Sequence, residues 1–166
     1  MQLIVNGTEN FNAYPKKVYL GEQNLCAYYI VIFTTLEQLL LLRIIISEKF
    51  NIDLPYDRTT VTTKNSETLS LSYQQVFSEI LVELTTNSTR IISVIDELFE
   101  TPAPPWHAFP NLQPIEAVMS KHGELEYWWN RVWLPYWDNC TPAERNTYLS
   151  TVDATQECQV YLCNEE

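Results

Sequence analysis

The sequence predicts a mainly α fold, a compact helical domain of four to six helices around a buried central helix, with minor β structure at the N-terminus. Three observations predict it. The stretch Leu25 to Phe50, LCAYYIVIFTTLEQLLLLRIIISEKF, is the only one apolar enough to be buried on nearly every side. Val76, Phe77, Ile80, Leu81 and Leu84 recur at three- and four-residue spacing after a Ser72/Gln75 cap pair. Further along, Pro114 and Thr141-Pro142-Ala143-Glu144 carry the signature of helix starts. The alternative is an α+β fold with Leu25 to Phe33 as the middle strand of a small sheet, because Ile30-Val31-Ile32 are β-branched.

The central helix is expected over Leu36 to Phe50. Thr34 with Glu37 and Thr35 with Gln38 form two overlapping capping boxes, whose reciprocal hydrogen bonds satisfy amides that a helix start leaves open. Asn51 can close the helix, and Pro55 prevents its continuation. The apolar run approaches the roughly 20 residues that span a bilayer. Glu37 and Gln38 sit near its midpoint, however, and a central charge costs about 2.5 to 3.5 kcal/mol there, which favours burial in protein.

At the N-terminus, Leu3-Ile4-Val5 with Asn6-Gly7 predicts a short strand entering a turn, which Val18-Tyr19-Leu20 can pair. Thr59 to Thr63 and Thr68 to Ser72 have the length of a modest hairpin or of an ordered loop. The helix predicted from Ser72 is interrupted or weakened at Thr85-Thr86-Asn87-Ser88-Thr89. Ile91, Ile92, Ile95, Leu98 and Phe99 then continue its stripe to an acidic end at Asp96, Glu97 and Glu100. A helix C-terminus prefers cations, so this end hints at a nearby base.

A proline-stiffened connector over 101–114 is pinned by Trp106 and Phe109 and carries no regular structure in this reading. The next helix weakens at His122-Gly123. It then enters Tyr127-Trp128-Trp129-Asn130-Arg131-Val132-Trp133-Leu134-Pro135-Tyr136-Trp137, where Pro135 should end or kink it near Leu134. A last helix runs from Thr141 to about Thr151, and Gln159-Val160-Tyr161-Leu162 reads as an edge strand. The whole, 1–166, is expected to form a single domain, which at this length buries about 70% of the unfolded surface.

A formal charge of −11 with only ten Lys and Arg excludes a conventional electropositive footprint for nucleic acid. The first residues carry no basic, apolar leader pattern, so a cytoplasmic protein is expected, with Cys26, Cys140, Cys158 and Cys163 as reduced thiols. There is no G-x-S-x-G, no P-loop, no H-E-x-x-H and no zinc spacing. With His107 and His122 as the sole imidazoles, no cofactor, metal or catalytic residue is expected. The enzyme reading survives only as a Cys140–His pair or paired carboxylates.

The favoured expectation is a non-catalytic acidic protein-binding module with a basic partner: an inhibitor, antitoxin or immunity factor, or phage-encoded blocker such as an anti-CRISPR. Its expected contact residues are Glu79, Glu83, Asp96, Glu97 and Glu100 for steering, and Trp128, Trp129, Trp133 and Trp137 as aromatic anchors. Direct nucleic-acid or membrane binding is not expected, and a homo-oligomer is compatible with this reading. The second expectation is a structural subunit or adaptor of a larger assembly, joined through Leu25 to Phe33 or the Trp face.

Overall fold

The computed structural model describes residues 14–54, 59–63, 65–76 and 79–164, so the strand and turn expected over Leu3 to Gly7 lie outside the described residues. The chain divides into two compact units, Met1–Glu100 and Thr101–Glu166. The mainly α expectation is corrected: the first unit holds a five-stranded antiparallel sheet, and the chain is α+β.

In the first unit, β1 (Lys17–Tyr19), β2 (Tyr28–Thr34), β3 (Thr59–Thr62), β4 (Thr68–Val76) and β5 (Glu79–Thr86) pair in the order β1-β2-β5-β4-β3. Two helices, α1 (Leu36–Phe50) and α2 (Thr89–Leu98), pack on each other and on β5. The strand alternative for Leu25 to Phe33 is the one realised. In β2, Tyr28, Ile30, Ile32 and Thr34 are buried and pair with Thr86, Leu84, Val82 and Ile80 of β5. Leu69 and Leu71 of β4 extend that inward face by pairing with Thr86 and Leu84.

The helix expected over Ser72 to Leu84 is corrected: residues 72–76 belong to β4 and 79–84 to β5. Ile80 and Leu84 satisfy the four-residue spacing of a helix and the two-residue period of a strand equally, and Val82 and Thr86 complete the strand period. Pairing with β2 and β4 on both sides settles it, since every backbone amide of a central strand finds a partner there.

Helix α1 has the expected bounds. Thr35 and Gln38 form its capping box, and Asn51 ends it in the left-handed region at φ 50°. It is not buried on every side, however. Leu39, Leu42, Arg43 and Ile46 face inward, whereas Leu36, Leu40, Leu41 and Ile44 are exposed. The polar Thr85 to Thr89 stretch is the junction between β5 and α2. The Thr86 hydroxyl donates to the Thr68 carbonyl at 2.7 Å, and the Asn87 side-chain carbonyl accepts from the Thr68 amide at 2.7 Å. Ser88 caps α2 through the Ile91 amide and donates to Glu67, which also binds Arg90.

The second unit is helical: α3 (Pro105–Ala108), α4 (Pro114–Met119), α5 (Gly123–Trp128), a π-helical turn (Trp129–Trp133), α6 (Leu134–Trp137), α7 (Pro142–Thr151) and α8 (Gln156–Asn164). The connector therefore contains one helical turn that the sequence did not suggest. Gly123, at φ 60°, makes the break between α4 and α5. Of the end or kink expected at Pro135, the end does not occur: the helical backbone passes through the π-helical turn into α6. The Leu134 amide donates to the Trp129 carbonyl five residues back, and this widened turn lets the chain pass a residue that lacks an amide of its own. The edge strand expected over Gln159 to Leu162 is α8 instead, started by Thr155, whose hydroxyl accepts from the Cys158 amide, and anchored by buried Cys158 and Leu162 at four-residue spacing.

Candidate functional site

Trp128, Trp129, Trp133 and Trp137 are core rather than surface, each at most 4% exposed. Trp133 stacks on Trp128 and Trp137, with ring centres 6.0 and 5.1 Å apart, and meets Tyr148 edge-on at 5.7 Å. Phe109 packs edge-on against Trp128 at 5.3 Å, so the connector's aromatic supplies part of the cover. A helix with rings on two sides must bury both. Here the π-helical turn rotates the rings into one cluster, and Trp137 donates to the Leu162 carbonyl at 3.3 Å. The tryptophans are thus not available as binding anchors.

The expected acidic contacts lie on two elements, Glu79 and Glu83 on β5, and Asp96, Glu97 and Glu100 at or just past the end of α2. Glu79 and Glu83 lie on β5, where burial raises the Glu79 carboxyl and Glu83 accepts from the Tyr29 hydroxyl. Asp96 is half-buried and ion-paired with Lys17 of β1, which supplies the base its helix end called for. Glu97 and Glu100 remain exposed.

What sequence reading missed is the use of the bases. Lys17 and Arg90 are in ion pairs with Asp96 and Glu67. Arg43 is buried, donating to the Tyr73 hydroxyl at 2.6 Å and to the Leu54 carbonyl. In the helical unit each Lys and Arg lies over an aromatic ring: Lys121 over Trp129 at 4.5 Å, Arg131 over Tyr127 at 5.6 Å and Arg145 over Trp137 at 5.1 Å. The acids Glu116, Glu124, Glu126, Asp138, Glu144, Asp153 and Glu157 of that unit are all exposed.

A second feature is an apolar groove of about 430 Å³ in the first unit, lined by Leu36, Leu39, Leu40, Arg43, Tyr73, Gln74, Gln75 and Ile80. It forms where the β4–β5 pair runs past the N-terminal half of α1. Its wall is continuous with the exposed α1 residues through Leu36, which is 60% exposed, and Leu40.

Neither feature resembles a catalytic centre. The Cys140 thiol is pushed up by burial and is hydrogen-bonded to Tyr136, with Glu144 and Arg145 beside it; a nucleophilic cysteine needs the opposite shift. His107 and His122 are exposed. Among the described residues, no group of three or more His, Cys, Asp or Glu is placed to hold a metal ion, and no helix is long and apolar enough to cross a membrane. Comparison with family models, curated proteins and solved structures finds no match to this chain.

Proposed function

We propose that this protein is a non-catalytic, acidic protein-binding module of the cytoplasm that captures a basic partner, in the manner of an inhibitor, an antitoxin or immunity factor, or a phage-encoded blocker of a nucleic-acid-processing enzyme. The observation that carries this reading is the internal use of the bases. Of ten Lys and Arg, Lys17, Arg43, Arg90, Lys121, Arg131 and Arg145 are engaged in ion pairs, buried hydrogen bonds or ring contacts of the protein itself. The carboxylates of the helical unit face outward, so a formal charge of −11 translates into a field that steers basic surfaces.

The test is co-purification of the tagged protein from its own host at low and high salt. A basic protein released by salt, and lost when Glu97, Glu100, Glu124 and Glu126 are changed to Gln, is the expected result. Retention unaffected by salt or by those changes would overturn the reading.

A further inference from the structure

We propose that the outward face of α1, with the groove beside it, is a docking site for a basic amphipathic helix of the partner; this rests on the reading of the protein as an acidic binding module. Leu36, Leu40 and Ile44 recur every fourth residue and form one line along the helix, with Leu41 on its flank. Ile44 is 53% exposed and Leu41 46%. A contiguous apolar patch of this kind, bordered by charge, marks an interaction surface rather than ordinary surface scatter. Leu36 and Leu40 also wall the groove, so a bound element that covers the line can lower an apolar side chain between Leu39 and Ile80.

Charge selects the occupant. At about 100° per residue, Glu37 and Glu48 fall between Ile44 and Leu41 on the same outward face, and both are exposed. The neighbouring base, Lys49, points off that line. A second copy would set Glu37 and Glu48 against their own equivalents on a chain of the same negative charge, which is a repulsive juxtaposition. An anionic lipid surface is disfavoured for the same reason. A helix with apolar residues at four-residue spacing and Lys or Arg alongside matches both the line and its rim, the helix-in-groove mode of recognition.

The probe is a fluorescein-labelled model peptide, helical by design, with Leu at four-residue spacing flanked by Lys, titrated with the full chain and read by anisotropy. A scrambled peptide of the same composition and a version with Glu for Lys are the controls. The expected result is binding of the patterned Lys peptide at least tenfold tighter than of either control. It should weaken tenfold or more in Leu40→Asp and in Ile44→Asp, variants at exposed positions whose folding is checked by circular dichroism. In Glu37→Lys/Glu48→Lys the preference should move toward the Glu peptide. Equal binding of the scrambled peptide, or wild-type binding by both Asp variants, overturns the site. So does a dimer in solution that Ile44→Asp dissociates, or a photo-crosslinker at position 41 that joins only to the same chain. If the Asp variants still capture a salt-released basic protein from the host, the site fails while the binding-module reading stands; if wild type captures none, that reading itself fails.

Discussion

The Lys17 ammonium on edge strand β1 donates to the carboxylate of Asp96, near the end of α2, and joins the margin of the sheet to the helix layer above it. The two side chains are 4% and 15% exposed, so neither charge is well solvated. Burial lowers the pKa of the ammonium, and Asp96 works against that shift.

Removing one partner leaves a buried charge without its counterion. Lys17→Met should cost about 3 kcal/mol in urea unfolding, and Lys17→Met/Asp96→Leu should recover most of the loss. Destabilisation of the double variant equal to the sum of the two single variants, Lys17→Met and Asp96→Leu, would show that the pair contributes no coupling.

Arg90 above all holds the Glu67 carboxyl below its usual range, with help from Ser88 and Thr63. The fold therefore binds that proton less readily than the unfolded chain does. The stabilisation is fully present above the ordinary carboxylate value of about 4.5 and is lost as pH falls through the lowered one. Glu67→Gln should cost about 0.5 to 1 kcal/mol at neutral pH, the modest figure reflecting the exposure of Arg90. The deficit should shrink on acidification, as followed by unfolding curves across pH.

Glu79 is the opposite case. Burial raises its carboxyl, so the fold holds the proton more tightly, and stability declines as pH rises from the ordinary carboxylate value through the raised one. Glu79→Gln should be more stable than wild type at neutral pH and indistinguishable from it in acid, below both values. A destabilised Gln variant at neutral pH would mean that the carboxylate makes a favourable contact in the fold.

The indole emission should be shielded from acrylamide in the native protein and become accessible on unfolding. Two matched substitutions separate hydrogen bonding from packing. Trp129→Phe and Trp137→Phe both remove an indole from the core, but of the two only Trp137 donates, to the Leu162 carbonyl; the Trp129 indole N–H has no hydrogen-bond partner among the described residues. Trp137→Phe should therefore be the more costly by about 1 kcal/mol.

Thiol labelling under native conditions should find Cys26 and Cys163 fast, Cys140 slow and Cys158 unreactive until unfolding, because the first two are exposed, the third is half-buried with a raised pKa, and the last is fully buried. Peptide mapping of the labelled cysteines reads the order directly.

By itself the sequence determined the features whose causes lie within a few residues of one another. The Thr35/Gln38 and Thr141/Glu144 capping boxes open α1 and α7 where expected, and Asn51 closes α1, because a cap is a hydrogen bond between neighbours in the chain. Net charge was equally legible, being a sum over residues. Tertiary structure alone decided that 72–76 and 79–84 are strands, since Ile80 and Leu84 fit both periods and the pairing of β5 with β2, distant in sequence, chooses between them. It also decided which way the tryptophans and the bases face. Burial of Trp133 depends on Phe109, Trp128, Trp137 and Tyr148 closing one cluster, and Lys121, Arg131 and Arg145 are each set over an aromatic ring; no count of residue types contains that arrangement.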